Sequence, residues 1–212
     1  MEKKMKRITK NPSFKYEKLL FKTTDFVFGI DEVGRGSFAG PLVAAAVYFK
    51  KEYKWFKDVN DSKLLTHKKR VRLSRLIQKN ATYFIEIIDI DLINKLGIGK
   101  CNKIVFENLI NTIKNELKDK KIYFLIDGKD KNLKDKQIKF IVKGDQKHIS
   151  ISAASIIAKV YRDNLMRNFG KIYPGYNFSR NKGYGTKFHR KALRKYGLSL
   201  IHRTSFNLQK FP

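Results

Sequence analysis

The 212-residue chain of 24.8 kDa carries 47 Lys and Arg against 19 Asp and Glu, a net charge of +28 with a pI of about 10.1, so a polyanion is the default partner. No run of apolar residues approaches the ~20 needed to span a bilayer, and the basic opening "MEKKMKRITKNPSFKYEKLL" has no apolar signal core, so neither membrane insertion nor secretion is expected and a cytoplasmic location is. The lone Cys101 excludes an intrachain disulfide and has no Cys or His at zinc-ligand spacing, which leaves oxygen to hold any metal.

In chain order, a basic leader over 1–24 precedes two strands, "DFVFGI" (Asp25–Ile30) and "LVAAAVYF" (Leu42–Phe49), joined by a glycine-rich loop that suggests a hairpin-like start. Thr66 can cap a helix reaching about Lys79, with Val71, Leu73, Leu76 and Ile77 on its apolar face. "TYFIEII" (Thr82–Ile88) reads as a strand, Asn102–Leu117 as a helix, "KIYFLID" (Lys121–Asp127) as a buried strand and "IKFIV" (Ile138–Val142) as a short one. "SAASIIAKVYRDNLMRNF" from Ser152 contains no breaker and predicts a long helix, and Lys187–Tyr196 a shorter one. The reading is an α/β domain over 25–168 followed by a helical, basic extension over 169–212. From Lys159 to Pro212 there are thirteen Lys or Arg and one acid, Asp163, interleaved with seven Phe and Tyr as far as Phe188. Such interleaving suits a surface that tracks a nucleic-acid backbone and stacks on its bases or sugars.

The few acids are placed in a telling way. Asp31 and Glu32 follow the first strand, Asp127 follows the "YFLID" strand, and Asp145 in "VKGDQK" lies just beyond the next. Strand ends are where α/β sites are built. An Asp–Gly or Gly–Asp pair also makes a turn, but acids after three separate strands in so basic a chain point to a cluster. Two like charges at ~4 Å repel by roughly 4 kcal/mol at an effective dielectric of 20, so a carboxylate cluster either protonates or binds cations. Mg²⁺ accepts one or two carboxylates and completes its shell with water and phosphate oxygens, and two such ions about 4 Å apart suit phosphodiester hydrolysis.

The segment "GIDEVGRGSFAGPLVAAAV" closely resembles the signature of bacterial ribonuclease HII. The likeness continues through "NDSK" (Asn60–Lys63), "LIDGK" (Leu125–Lys129), "KGD" (Lys143–Asp145), "SAASIIAKVYRD" (Ser152–Asp163), "NKGYGTKFH" (Asn181–His189) and "HRTSF" (His202–Phe206). The resemblance implies a ribonuclease H-like mixed sheet flanked by helices, with a small helical carboxy-terminal extension. It implies an endonuclease that cuts the RNA strand of RNA/DNA hybrids and nicks duplex DNA on the 5′ side of an embedded ribonucleotide, leaving 3′-OH and 5′-phosphate ends, and that acts as a monomer. Asp31, Glu32, Asp127 and Asp145 fall on the family's metal-binding carboxylates, with Mg²⁺ or Mn²⁺ as cofactor. Asp163 competes for the fourth place, although its i,i+4 spacing from Lys159 suits a helix ion pair.

Substrate contacts carry over to the loop and to two further motifs. Gly34 and Gly36 would let backbone groups approach the ribose 2′-hydroxyl, which distinguishes RNA from DNA locally, and Arg35 would grip the adjacent phosphate. Tyr184 of "KGYGT" falls on the family tyrosine that stacks on the following deoxyribose, and Lys63 of "DSK" is a candidate for the scissile phosphate. His189 and His202 read as structural or DNA-contacting. Val33, Lys129 and Gln146 depart from the commonest family pattern, and Val33 is similar to the "DEVG" of ribonuclease HIII. The arginine of "GRG" and the short leader favour type HII over that alternative, and the full set of acids favours a nuclease over a degenerate relative or a non-catalytic nucleic-acid-binding protein.

Overall fold

The computed structural model describes residues 11–129, 133 and 135–208; the first ten residues of the basic leader and Lys210 lie outside them. Among the described residues the chain forms one five-stranded mixed sheet in the order β3-β2-β1-β4-β5. The strands are β1 (Phe26–Val33), β2 (Leu42–Tyr48), β3 (Thr82–Ile88), β4 (Ile122–Asp127) and β5 (Ile138–Ile141). β1, β2 and β3 form an antiparallel meander, while β4 and β5 join parallel to β1. The expected mixed sheet and its five strands are therefore present.

The helices are α1 (Lys15–Leu20), α2 (His67–Asn80), α3 (Ile90–Glu116), α4 (Ile149–Ile172), α5 (Phe178–Asn181) and α6 (Lys187–Tyr196). Alternation along the strands sorts the side chains into two layers. Phe28, Ile30, Leu42, Ala44, Ala46, Phe124 and Ile126 meet Val105, Phe106, Leu109 and Ile113 of α3 on one face. On the other, Val43, Ala45 and Val47 meet Leu73 and Ile77 of α2 and the Ile149–Ala158 run of α4. The second layer is thin because α4 presents Ser150, Ser152, Ala153, Ala154 and Ser155, all buried, and small residues let a helix backbone approach the sheet. At Gly29 the approach is complete: a Cβ there would stand 2.2 Å from the backbone N of Ile151 and from the backbone C of Ser150.

Several boundaries differ from the sequence reading for local reasons. β1 runs on to Val33, because Asp31, Glu32 and Val33 are paired with Ala45, Ala44 and Val43 of β2. The two acids thus sit inside the strand's last turn of pleat instead of after it. α3 begins twelve residues before the expected Asn102, capped by Asp89, whose side chain accepts from the Leu92 N–H at 2.8 Å. A break at Gly97, with φ 77° and ψ 153°, separates its first turns from the rest. α1 was not expected at all, since six residues give too little periodicity to register. Tyr16 and Leu20 of this helix, with Phe21 just after it, pack against Val27 of β1, Leu125 of β4, Ile141 of β5 and Ile151 of α4.

The carboxy-terminal part is helical as expected. Tyr176, Phe178, Ala192 and Ile201 close a small core of their own with Ala39 of the β1–β2 loop and Met166 of α4. The extension is thereby fastened directly to the glycine-rich loop.

Gly29→Ala should destabilise the protein by about 3 kcal/mol, at the top of the range for overpacking, lowering Tm by roughly 6–12 °C for a chain of this size. Thermal unfolding followed by circular dichroism checks this, and a Tm unchanged by the substitution would show that α4 can move off the strand freely.

Candidate active site

The parallel register sets Ile30 beside Ile126, so the next residues along, Asp31 near the end of β1 and Asp127 at the end of β4, are neighbours. Asp127 in turn is paired with Ile141 of β5, after which the chain turns through Lys143, at φ 57°, into a short 3₁₀ turn holding Asp145. Three strand ends therefore deliver acids to one edge of the sheet. Backbone donors fix them there: the Glu32 N–H donates to Asp31 Oδ1 at 2.7 Å and the Gly144 N–H to Asp127 Oδ1 at 2.6 Å. Gly144 has no room for a side chain, since a Cβ would lie 2.6 Å from Ile151 Cδ1 and 3.4 Å from that same Asp127 oxygen.

Burial and mutual repulsion both act on these acids. Burial pushes the Asp31 carboxyl well above the usual range, and Glu32, Asp127 and Asp145 push it further. Asp145 is raised to about 6 by burial, then by Asp61 and Asp127. Burial lowers the Lys63 ammonium, but the fields of Asp61, Asp31, Asp145 and Asp127 more than offset this and its pKa is raised. Among the described residues no three Asp, Glu, His or Cys side chains are drawn together at the spacing of a finished metal cage. The donor set nonetheless fits a hard cation: it is all oxygen, it is mutually repulsive, and its carboxylates are held by main-chain N–H groups.

Asp61 was missed from the sequence, although it stands in the "NDSK" motif from which only Lys63 was singled out. It is buried, and its Oδ1 accepts from the Lys63 N–H at 2.9 Å, so it shapes the turn that aims Lys63 at the cluster. Asp163 lies apart from the other acids, paired with Lys159 Nζ at 2.7 Å and with Arg70 Nη1 at 3.7 Å. The helix ion pair expected from its spacing is formed.

Beside the acids lies a cleft of about 260 Å³ lined by Asp31, Glu32, Ser62, Lys63, Lys159 and Tyr184. Lys159 Nζ and Arg162 Cζ stand 5.6 Å and 5.5 Å from the centre of the Tyr184 ring. The GRG loop forms the adjoining rim. Gly34 adopts φ 98°, and a Cβ there would lie 2.3 Å from Arg162 Nε, whereas Gly36 faces open space. Arg35 and Gly36 are exposed while Ser37 through Pro41 are buried.

Two arginines that the sequence reading did not single out hold this loop. Arg162 of α4 donates to the Pro41 carbonyl at 2.8 Å, the Ala39 carbonyl at 3.0 Å, the Ser37 hydroxyl at 2.7 Å and the Lys182 carbonyl at 2.8 Å. Arg203, from "HRTSF", donates to the Gly40 carbonyl at 2.8 and 2.9 Å and to the Arg35 carbonyl at 3.1 Å. Both side chains are fully buried. The loop also pairs with the extension, through Phe38 N–H to Gly183 O at 2.8 Å and a bridge between Ser37 and Tyr184.

The ribonuclease HII family model matches residues 28–209. The chain belongs to the ribonuclease HII family. It is therefore a hydrolase of the ribonuclease H class, acting on RNA paired with DNA. It is 44% identical to ribonuclease HII of Caldanaerobacter subterraneus over 97% of this chain and 83% of that one. It is also 44% identical to ribonuclease HII of Acholeplasma laidlawii, over 90% of this chain and 92% of that one. Among solved structures, ribonuclease HII of Archaeoglobus fulgidus, determined in complex with PCNA, superposes with a TM-score of 0.73 at 23% identity, covering 85% of this chain and 95% of that one. Bst ribonuclease HIII in complex with Mn²⁺ superposes with a TM-score of 0.66 at 19% identity, over 88% of this chain and 68% of that one. These two likenesses are of fold. Among the described residues no helix is long and apolar enough to cross a membrane.

His189 and His202 are buried, which removes both from any contact with DNA and leaves the structural role. The Ser199 N–H donates to His202 Nδ1 at 2.8 Å, the two Nε2 atoms are 3.0 Å apart, and His189 Nδ1 lies 3.0 Å from the Tyr184 carbonyl. This chain is satisfied when His202 carries its proton on Nε2 and His189 on Nδ1, both rings neutral. Burial, then the neighbouring His189, pulls His202 down to about 4. A folded-state pKa below the unfolded value of about 6.5 contributes stability that is full above that value and lost as pH falls towards the folded pKa. His202→Asn, which keeps an acceptor for Ser199 but cannot titrate, should lose about 1–2 kcal/mol less stability than the unsubstituted protein between pH 7 and pH 5. Urea midpoints at the two pH values measure this, and equal losses would mean that His202 is not held neutral.

Proposed function

We propose that this chain hydrolyses the RNA strand of RNA/DNA hybrids and nicks duplex DNA on the 5′ side of an embedded ribonucleotide, as a cytoplasmic monomer serving ribonucleotide removal from DNA. The observation that carries the reading is the meeting, at one rim, of the repulsive acid cluster with the GRG loop and Tyr184. Chemistry and recognition of the sugar are then within one nucleotide of each other.

Asp31, Glu32, Asp127 and Asp145 are the residues that would hold Mg²⁺ or Mn²⁺. When bound, a pair of such ions supplies Lewis-acid polarisation of the phosphoryl group and a water acidic enough to attack it. Water adds to phosphorus, the P–O3′ bond breaks, and the products carry a 3′-OH and a 5′-phosphate. Lys63, aimed at the cluster by the Asp61 turn, offers its ammonium to a non-bridging oxygen of the scissile phosphate. Gly36, exposed and with open space where a Cβ would be, leaves the loop backbone open to the 2′-hydroxyl, Gly34 lets the loop turn close against Arg162 to present it, and Arg35 takes the neighbouring phosphate. Tyr184, set by its bridge to Ser37, offers a ring face to the deoxyribose that follows. A duplex carrying one 2′-hydroxyl is thus read at the loop and cut at the acids, while the net charge of +28 supplies the sequence-independent part of binding.

Asp31→Asn should lower Mg²⁺-dependent nicking of a duplex bearing one ribonucleotide by more than about 100-fold, with duplex affinity largely intact by fluorescence anisotropy. Unchanged nicking would refute the assignment. Arg35→Ala should reduce nicking at a single ribonucleotide by roughly 10- to 100-fold, the worth of one charge-assisted contact of about 1.5–3 kcal/mol, while leaving metal affinity as it was. Loss of metal binding in that variant would move Arg35 from substrate recognition to support of the acids.

A further inference from the structure

Glu17 of α1 is a fully buried carboxylate with an unusual pair of partners. Its Oε1 accepts from both the backbone N–H and the hydroxyl of Ser150, at 3.0 and 2.8 Å. Ser150 is the second residue of the 24-residue α4, whose first N–H groups have no partner within the helix. No side chain of α4's own N-cap, His148, caps the helix. Glu17 therefore caps α4 from another element, with its negative charge at the positive end of the helix dipole. Among the described residues its second oxygen has no hydrogen-bond partner, and neither has His148 Nδ1, 3.8 Å away.

The same junction is tied down by main-chain bonds just before α1. Ser13 N–H donates to the Lys147 carbonyl at 3.0 Å, and the Ile149 N–H donates to the Ser13 carbonyl at 3.3 Å. The clamped segment, 147–150, directly follows the 3₁₀ turn of Asp145. Three bonds tie this part of the chain to that turn: the Lys147 and His148 N–H groups both donate to the Gly144 carbonyl at 2.9 Å, and the Ser152 hydroxyl, in the first turn of α4, donates to the Asp145 carbonyl. Gly144 is itself the donor to Asp127 Oδ1. A continuous set of hydrogen bonds thus runs from Glu17 through the first turn of α4 to Asp145 and Asp127.

We infer that Glu17 is a positioning residue for the acid cluster, and that α1 clamps the start of α4 so that Asp145 and Asp127 stand ready for the cation. This rests on the proposal that those two acids hold metal. It gives the described residues before β1 a task in the chemistry, although none of them lines the cleft.

Mn²⁺ binding to the substrate-free protein, followed by electron paramagnetic resonance of the free ion, reads the effect without turnover. Glu17→Ala should weaken Mn²⁺ by about tenfold, within the range for groups that hold a metal's ligands in place, and raise the Mg²⁺ concentration needed for half-maximal nicking in proportion, with the rate at saturating Mg²⁺ changed less. Glu17→Gln keeps an oxygen for Ser150 and should stay within about twofold of the unsubstituted protein. Ile113→Val, a core change on the far face of the sheet, should lower Tm without moving Mn²⁺ affinity. If Glu17→Ala does not fold, Ser150→Ala, which removes only the hydroxyl bond, should weaken Mn²⁺ by about two- to threefold. Unchanged Mn²⁺ affinity in Glu17→Ala, or in Ser150→Ala where that stands in, overturns the inference, as does an equal shift in Ile113→Val. Asp145→Asn separates the two readings: if it leaves Mn²⁺ binding unaltered, the metal assignment itself fails, whereas weakened binding there with no effect at Glu17 defeats the positioning role alone.

Discussion

Two buried guanidinium groups on backbone carbonyls shape everything around the cleft. Arg162 and Arg203 are charged and fully buried, yet the acceptors they reach are a serine hydroxyl and the main-chain carbonyls of Arg35, Ala39, Gly40, Pro41 and Lys182. Burial costs them part of their basicity, and Arg203 is brought down to about 9, by desolvation first and by Arg162 second. That still leaves it protonated at neutral pH. A carboxylate would neutralise such a charge more cheaply, but carbonyls can be supplied only by a chain bent around the guanidinium. The planar fork of donors therefore dictates the path of the loop. Gly34, which has no room for a Cβ beside Arg162, belongs to the same constraint.

The sheet plays a complementary part. β1 is the central strand, paired on one side to β2 and on the other to β4, so the acids it carries are held by Ala45 and Ala44 of β2 and directly follow the end of the β4 ladder at Ile30. Asp31 gains order at the expense of solvation, which, with its acidic neighbours, is why its carboxyl is so reluctant to ionise. The thin α4 layer, made of serine and alanine, brings a helix start within backbone contact of Gly29, two residues from Asp31. Strand ladder, helix start and guanidinium-held loop all converge on a stretch of about fifteen residues.

Much of this was legible in the sequence, and the failures have physical causes. Apolar runs with turn signals between them marked all five strands, because buried strands leave the strongest compositional trace. The four acids stood out because the chain has so few. Arg162 and Arg203 did not, since in a chain with 47 basic residues a buried arginine looks like any surface one. Its distinguishing partners, carbonyls up to 168 residues away, leave no local mark. Asp61 was obscured by the lysine two residues on. α1 is too short for periodicity, and its key residue is a polar Glu that pattern reasoning assigns to solvent, whereas it is buried against Ser150.

The placement of the two arginines along the chain has a consequence for synthesis. The proposed metal-holding acids are all present once residue 145 has been made. The loop beside them, one of the first segments to emerge, is held by groups made much later: Arg162, then Gly183 and Tyr184, and finally Arg203. A nascent or prematurely ended polypeptide would thus possess its carboxylates before it possessed a formed loop to select among the sugars presented to them. The order of synthesis thus puts the carboxylates before the shaped loop, and a fragment ending short of Arg162 lacks the contacts that bend that loop around the guanidinium.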